Sequence, residues 1–215
     1  MSWKEKVFEG FRLYAVTDLK AGSPEVLRKI EAAYRGGVDI VQLRSKVLTD
    51  AILIRLGLQV QRIARKYRKL FFVNDRVDLA LITGADGVHL GQDDMPVHVA
   101  RKLAKQAGRE LWIGKSTHSL EQALAAVNEG ADYIGIGPVF RTPTKPHVKS
   151  VGLRFVRQAA MKVRIPWVAI GGIDLGNIRD VAAAGATRVA VVRAIFSTLD
   201  PEIAAQKLKR QIEGI

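Results

Sequence analysis

The sequence contains no cysteine, which excludes disulfides, thiolate zinc sites and thiol nucleophiles. No uninterrupted apolar run approaches the roughly 18 residues of a membrane span. The first ten residues carry charge but lack the apolar centre of a secretory signal. Low-complexity tracts and interdomain linkers are also missing. We therefore expect a cytoplasmic protein without a membrane segment, in which residues 1–215 fold as one domain.

Acidic residues are few relative to basic ones: 21 Asp and Glu stand against 34 Lys and Arg, a net charge of +13. A surplus of this size attracts anions. Many of the cations fall on predicted helix faces, such as Arg62, Arg65 and Lys66, and no single motif is suited to contact a base edge. We expect solvated helix faces and an anionic small-molecule substrate; nucleic acid is the weaker alternative.

Short apolar runs alternate with amphipathic segments about eight times along the chain. The predicted strands are Phe11–Val16, Val38–Leu43, Leu70–Val73, Gly87–Leu90, Leu111–Gly114, Tyr133–Gly137, Trp167–Ile170 and Arg188–Val192. Strands that are apolar at nearly every position indicate a parallel sheet buried on both faces. Strict alternation with helices leaves two architectures, a doubly wound open sheet or a closed (β/α)8 barrel.

An internal repeat favours the barrel. Four strands share an entry phrase that begins at Gly36, Gly84, Gly130 and Gly185, so the glycines lie 48, 46 and 55 residues apart. Each glycine suits a left-handed helix C-cap before a strand. Any helix-to-strand turn favours such a glycine, but the even spacing indicates a (βα)2 unit repeated four times. This repeat predicts an α/β fold with a single (β/α)8 TIM barrel.

Two carboxylates follow neighbouring predicted strands. Asp75 comes directly after the strand Leu70–Val73 and Asn74, and Asp94 follows the strand Gly87–Leu90. In a parallel sheet both lie on the same edge, where their oxygens suit Mg²⁺ carried in by a phosphorylated substrate. A helix N-cap is the alternative for either Asp alone. Two acids at matching strand ends favour the metal.

Groups that bind phosphate follow other strands. Arg44 and Lys46 come after the second strand, where they suit a highly charged phosphate group. Gly171-Gly172 closes the seventh, a common place for a backbone phosphate site in barrels. The long loop after the sixth strand contributes Thr142, Thr144 and Lys145. These positions predict phosphate or diphosphate chemistry, and no nucleophile–base pair of the serine-hydrolase kind accompanies them.

Histidines and aromatic residues near the predicted site have simpler interpretations. His89 lies inside a strand and is expected to be a hydrogen-bonded barrel residue. His118 follows a strand end and either starts a helix or acts as an acid–base group. Tyr14, Phe72 and Trp167 lie within strands, where core packing is expected rather than stacking on a substrate ring.

A set of motifs in fixed order carries a family resemblance. The segments are LYAVTD, VQLRSK, FFVNDRVDLA, DGVHLGQDDMP, IGKSTHSLEQA, DYIGIGPVFRTPTK, AIGGI and VAVVRAIFS. Together they resemble the motif set of thiamine-phosphate synthases and span Leu13 to Ser197. The resemblance implies a (β/α)8 barrel that uses Mg²⁺ to join hydroxymethylpyrimidine diphosphate to a thiazole phosphate. Such an enzyme releases diphosphate and forms thiamine phosphate.

The resemblance also implies roles for individual residues. Those implied for the pyrimidine diphosphate are Gln42, Arg44, Lys46, Asn74 and Ser116, and those implied for the metal are Asp75 and Asp94. Ser45, within the same motif as Arg44 and Lys46, is expected to be a further substrate-binding residue. Those implied for the thiazole phosphate are Thr142, Pro143, Thr144, Gly172, Val192 and Arg193, with Lys145 reaching the phosphates. Arg44, Lys46 and Lys145 would be catalytic, because with Mg²⁺ they would stabilise the departing diphosphate.

Two positions depart from the family pattern. Ser45 stands where relatives often carry an acid, and Arg193 stands where they often carry serine. A related thiazole tautomerase shares the segment around His118, which would there be the acid–base residue. That relative typically lacks the Asn-Asp motif and the TxTK loop, and this chain has both. A basic nucleic-acid-binding barrel is the alternative from another class. The sequence leaves open a homo-oligomer and a carboxylate on the thiazole.

Overall fold

A closed barrel of eight parallel strands forms the centre of the computed structural model, which describes residues 1–144 and 148–214. The strands are β1 Leu13–Val16, β2 Ile40–Leu43, β3 Leu70–Asn74, β4 Gly87–Leu90, β5 Trp112–Thr117, β6 Tyr133–Ile136, β7 Trp167–Ile170 and β8 Val189–Val191. Consecutive strands pair, and Tyr14 of β1 lies opposite both Ile40 of β2 and Ala190 of β8. The predicted (β/α)8 barrel is confirmed.

Helices surround the strands. They are α1 Trp3–Gly10, α2 Pro24–Arg35, α3 Asp50–Lys66, α4 Val77–Thr83, α5 Val97–Gln106, α6 Leu120–Asn128, α7 Gly152–Lys162, α8 Ile178–Ala183, α9 Arg193–Phe196 and α10 Pro201–Glu213. Within the described ranges, none of them has the length and apolar character needed to cross a membrane. The sequence analysis did not predict α1 or α9. A capping box formed by Ser2 and Glu5 opens α1 and is a signal that could have revealed it.

Several predicted strand boundaries were wrong, most clearly the end of β5. Ser116 lies inside β5, which continues to Thr117, because Ser116 pairs with Gly135 of β6. Helix α8 begins at Ile178, after a turn in which the Asp174 carboxylate accepts from Gly176 N. At the start of α6 the Ser119 hydroxyl accepts from Gln122 N, and the Gln122 side chain accepts from His118 N.

The lower half of the barrel is filled by aromatic rings. Phe8 of α1 stacks on Trp112 with ring centroids 4.6 Å apart, and Phe72 and Tyr133 pack edge to face at 5.7 Å. A Cβ atom added to Gly114 would lie 2.2 Å from the Tyr133 ring, so glycine is required there. The aromatic packing closes the amino end of the barrel and leaves the carboxyl ends of the strands open.

The repeated phrase places an Asp at the entrance of three even-numbered strands. The Asp39 carboxylate accepts from Leu13 N at 3.1 Å, that of Asp86 from Phe71 N at 3.0 Å, and that of Asp132 from Ile113 N at 2.7 Å. Each acid therefore ties the start of one strand to the start of the next. In the fourth phrase Thr187 takes this position, and its carbonyl accepts from the Arg12 guanidinium at 3.3 Å.

Left-handed glycines precede these strands, as predicted. Their φ angles are +69° at Gly84, +88° at Gly130 and +104° at Gly185. In the first phrase the prediction was off by one residue. There Gly37 has φ +100°, while Gly36 has φ −72° and packs so closely on α10 that an added Cβ would lie 2.4 Å from Glu202 O.

We predict that Asp39→Asn destabilises the fold by about 3 kcal/mol, because two lysines lose their buried counter-charge. Asp39 binds Lys69 at 2.7 Å and also pairs with Lys209. Burial alone would raise the pKa of Asp39. The two lysines and Arg12 N outweigh this effect, so the pKa of Asp39 lies below its usual value. A depressed folded-state pKa adds stability above the unfolded pKa, and this stability is lost as pH falls through the folded value.

Urea unfolding measured at several pH values between 2 and 7 tests this prediction. The difference between wild type and Asp39→Asn should be full at pH 7 and shrink toward pH 2. Asp180→Asn makes the same chemical change at an exposed acid and serves as the control. Equal stabilities of Asp39→Asn and wild type at pH 7 would contradict the ion-pair assignment.

Candidate active site

The carboxyl ends of the strands open into two neighbouring cavities of ≈340 Å³ and ≈350 Å³. Asn74 lines both. Predicted site residues that line the central cavity are Gln42, Arg44, Asn74, Ser116, Thr142, Thr144, Gly172, Val192 and Arg193. Those that line the cavity beside β2, β3 and β4 are Ser45, Lys46, Asn74, Asp75 and Asp94. The two groups therefore meet at one rim of the barrel.

The two predicted metal ligands lie side by side at this rim, where the Asp75 and Asp94 carboxyl groups are close enough to affect each other's pKa. The Lys46 ammonium lies 2.6 Å from Asp75 Oδ2, and Gly91 N donates to Asp94 Oδ2 at 2.6 Å. Asp75 has φ +62°, a left-handed conformation that is uncommon outside glycine. Its N–H donates to His89 O at 2.8 Å, which fixes this conformation against β4.

Unlike environments separate the pKa values of the two acids. Burial alone would raise the pKa of Asp75. Hydrogen bonds from Lys46 and Asp94 outweigh this effect, so the pKa of Asp75 lies below its usual value. Burial and the neighbouring Asp75 both raise the pKa of Asp94. A proton shared by the pair therefore belongs to Asp94. A cation bound between the two acids would take the place of that proton.

The donor set fits Mg²⁺, which binds hard oxygen ligands and commonly takes only one or two carboxylates together with substrate phosphates. Residues 1–144 and 148–214 hold no group of three or more His, Cys, Asp or Glu that could bind a metal unaided. A cation at Asp75 and Asp94 would therefore need oxygens from water or from a ligand.

Arg44 is held by a neighbour that the sequence analysis did not single out. Its guanidinium pairs with Asp18, and only 10% of the Arg44 side chain is exposed. The Thr17 hydroxyl accepts from Arg44 N at 2.8 Å and donates to Arg44 O at 3.1 Å. Thr17-Asp18 directly follows the first predicted strand, and that position was the available signal. Lys46 differs, since 58% of its side chain is exposed while its ammonium pairs with Asp75.

Ser45 shapes the turn after β2. Its hydroxyl donates to Leu19 O at 2.8 Å and accepts from Leu48 N at 3.0 Å. Leu19 and Ser45 also form a parallel bridge. These contacts direct the Ser45 side chain toward the backbone, so its hydroxyl holds the loops that carry Arg44 and Lys46.

The loop after β6 is joined to the end of β7. Val139 N donates to Ile170 O at 2.8 Å, and Phe140 N donates to Gly171 O at 2.9 Å. These bonds bring Thr142 and Thr144 beside the glycine turn, while Pro143 is exposed. The predicted catalytic residue Lys145 lies outside the described residues.

The glycine turn after β7 comes very close to this loop. Gly172 has φ +65°, and an added Cβ would lie 2.8 Å from Arg141 O. Val192 and Arg193 enter the same cavity from the start of α9, where the first N–H groups of a helix have no acceptor within it. The turn and the helix start therefore suit a phosphate group.

A chain of hydrogen bonds crosses the barrel beneath the central cavity. Gln42 Nε2 donates to the Tyr14 hydroxyl at 2.8 Å, and that hydroxyl lies 3.0 Å from the Tyr133 hydroxyl. Tyr133 in turn bonds His89 Nδ1 at 2.9 Å, and His89 Nε2 bonds Ser116 Oγ at 2.9 Å. His89 is thus a hydrogen-bonded barrel residue, as expected. The sequence analysis did not identify Tyr133.

His118 also reaches the central cavity, where its Nδ1 atom lies within hydrogen-bonding distance of Gly137 O. Its N–H donates to Gln122 Oε1 at 2.8 Å, at the start of α6. The position at a helix start is confirmed, and the acid–base role stays a prediction.

Comparison with known proteins gives a consistent set of similarities. A family model described as thiamine monophosphate synthase matches residues 13–195. The chain is 47% identical over 207 residues to a thiamine-phosphate synthase of Thermus thermophilus, covering 95% of this chain and 98% of that protein. It is 46% identical over 204 residues to a thiamine-phosphate synthase of Thermosynechococcus vestitus. That alignment covers 95% of this chain and 56% of the relative, so the chain spans about half of that protein's length.

A solved structure of similar sequence shares the architecture. Thiamine phosphate pyrophosphorylase from Pyrococcus furiosus superposes with a TM-score of 0.86 at 39% identity, covering 95% of this chain and 96% of that one. A 3-hexulose-6-phosphate synthase superposes with a TM-score of 0.67 at 22% identity and shows the shared barrel fold alone.

Proposed function

Since the chain belongs to the thiamine monophosphate synthase family, we propose that it joins a pyrimidine diphosphate to a thiazole phosphate, releasing diphosphate and forming thiamine phosphate. The observation that carries this proposal is the adjacent pair Asp75 and Asp94, with Lys46 bound to Asp75 at 2.6 Å. This group lies at the same rim as a cavity of ≈340 Å³. Small phosphorylated molecules are therefore the proposed partners, and the reducing cytoplasm is the proposed compartment.

The reaction requires charge stabilisation more than proton transfer. The bond between the pyrimidine methylene carbon and the diphosphate oxygen breaks, and its electron pair leaves with the diphosphate. The electron-rich pyrimidine delocalises the resulting cation, and the thiazole nitrogen lone pair then forms the new C–N bond. The residues that would stabilise the departing diphosphate are Arg44, Lys46 and Lys145. No protein nucleophile is needed for this sequence of steps.

Ion pairs with neighbouring acids position Arg44 and Lys46. Arg44 is largely buried against Asp18, which fixes the guanidinium at the edge of the central cavity. Lys46 is more exposed and lies between Asp75 and solvent, so it can turn from the acid to a bound diphosphate. Mg²⁺ bound to Asp75 and Asp94 would neutralise charge that develops on the diphosphate oxygens.

The thiazole phosphate is assigned to the opposite side of the cavity. There Thr142 and Thr144 supply hydroxyl groups, and Gly172 lets the backbone approach closely because it has no Cβ. Val192 and Arg193 offer backbone N–H groups at the start of α9. The exposed Arg193 side chain adds positive charge beside this subsite. The two anions are thus held on separate walls, with the reacting centres between them.

Asp94→Asn should lower kcat/KM at least roughly 100-fold in Mg²⁺, because a lost carboxylate ligand removes several kcal/mol of charge stabilisation. Thiamine phosphate formation from both substrates is the measurement, with circular dichroism to check the fold. Asp93→Asn, at the exposed neighbour, is the matched control. Full activity of Asp94→Asn would remove this residue from the metal site.

Gly172→Ala should raise KM for the thiazole phosphate about tenfold, since a Cβ there displaces the loop backbone and adds about 1–2 kcal/mol of strain. Gly108 is a matched control, because its φ of +66° equals that of Gly172 within 1° but an added Cβ would meet nothing within 4 Å. Gly108→Ala should lose stability and keep its KM. Equal KM changes in both variants would indicate a general effect of backbone strain.

His118→Ala distinguishes the synthase from a thiazole tautomerase. The His118 ring lines the cavity, and an acid–base residue commonly contributes at least roughly 100-fold to a rate. We expect thiamine phosphate formation to fall less than about threefold, since the proposed steps use no protein acid or base. Measurable tautomerase turnover in the wild-type protein, abolished in the variant, would favour the alternative activity.

A further inference from the structure

The hydrogen-bonded chain Gln42–Tyr14–Tyr133–His89–Ser116 connects opposite walls of the central cavity. Gln42 lies on β2 and Ser116 on β5, and both line the cavity. Between them, Tyr14 is 1% exposed and Tyr133 is fully buried. Burial raises the pKa of both phenols, so each keeps its single hydrogen. The chain thus spans the barrel without solvent contact at its centre.

The barrel leaves room for this chain by omitting neighbouring side chains. A Cβ at Gly114 would lie 2.2 Å from the Tyr133 ring and 2.6 Å from His89 Nδ1. A Cβ at Gly135 would lie 3.2 Å from the His89 ring. Two strands therefore carry glycine where the Tyr133 and His89 side chains pass.

Hydrogen-bond direction along the chain follows from its first member. Gln42 donates through Nε2, so Tyr14 accepts there and gives its own hydrogen to Tyr133. Tyr133 then gives its hydrogen to His89 Nδ1, which leaves the imidazole proton on Nε2. His89 Nε2 donates to Ser116 Oγ, and the Ser116 hydrogen remains for the cavity.

The opposite direction is disfavoured by Tyr14. If Tyr133 donated to Tyr14, that phenol would accept two hydrogen bonds, and its own hydrogen would lack an acceptor among the described residues. An unsatisfied buried donor costs about 1–3 kcal/mol. The Gln42 amide therefore determines which ring nitrogen of His89 carries the proton, although Gln42 and His89 lie on different strands.

We propose that Tyr14, Tyr133 and His89 are positioning residues that couple the Gln42 amide to the Ser116 hydroxyl, so that Ser116 is preset as a hydrogen-bond donor. The ligand in this cavity must then present an acceptor to Ser116 and a donor to the side-chain oxygen of Gln42, Oε1. A ligand with the reverse pattern would have to turn over every hydrogen bond in the chain. The identification of this ligand as the pyrimidine diphosphate rests on the proposed function. The direction of the hydrogen bonds from Gln42 to Ser116 does not depend on it.

Nitrogen-15 NMR of the substrate-free protein labelled at its four histidines tests the preset directly. From the hydrogen-bond geometry we expect the Nε2 atom of His89 to carry a proton and the Nδ1 atom to accept from Tyr133. In Gln42→Glu at pH 9 an ionised carboxylate must accept from Tyr14, which reverses the chain and moves the proton to Nδ1. The double variant Gln42→Glu/Tyr14→Phe breaks the connection and should keep the proton on Nε2.

Two outcomes would overturn the proposal: a wild-type His89 protonated on Nδ1, or an unmoved proton in folded Gln42→Glu at pH 9. The wild-type spectrum alone remains decisive if that variant does not fold. Tyr133→Phe supplies an activity readout, with KM for the pyrimidine diphosphate expected to rise about tenfold and KM for the thiazole phosphate unchanged. Equal changes in both constants would assign Tyr133 a structural role. The NMR result stands even if neither substrate is turned over.

Discussion

Closure of eight parallel strands into a ring is the constraint on which the site depends. Every strand runs in the same direction, so every residue that follows a strand arrives at one rim. Asp75 and Asp94 can therefore meet although they belong to different βα units, and the Thr142–Thr144 loop reaches the glycine turn after β7. The aromatic packing of Phe8, Trp112 and Tyr133 closes the other end, so the open rim is where ligands have room.

The ring and its rim could be predicted from the sequence because both depend on local patterns. Apolar runs identify strands, and the phrase repeated from Gly36 to Gly185 identifies the fourfold unit. Strand-end positions then identify Asp75 and Asp94 as neighbours. Contacts between distant side chains could not be predicted in this way. The Tyr14–Tyr133 hydrogen bond joins residues 119 positions apart, and no local pattern relates them.

Side-chain direction was the other limit. Ser45 was expected at the ligand, but its hydroxyl bonds the backbone of its own turn and Leu19 O. The left-handed backbone of Asp75 depends on a bond to β4, a partner that its own sequence neighbourhood does not reveal. The ion-pair partners of the charged site residues could not be predicted from the sequence either. The surplus of positive charge predicted an anionic ligand, whereas the pairing of Arg44 with Asp18 requires coordinates.

The acids at the strand entrances make the ring uneven in strength. At three of the four repeated phrases an Asp carboxylate binds the start of the preceding strand. At the fourth phrase this position is Thr187, which has no carboxylate. The pairing of β7 with β8 is also short, with two aligned residue pairs. The glycine turn and the start of α9 follow β7 and β8. Asp75 and Asp94 instead follow β3 and β4, whose starts are joined by the Asp86 carboxylate. We therefore expect the wall assigned to the thiazole phosphate to deform more easily than the wall assigned to the cation.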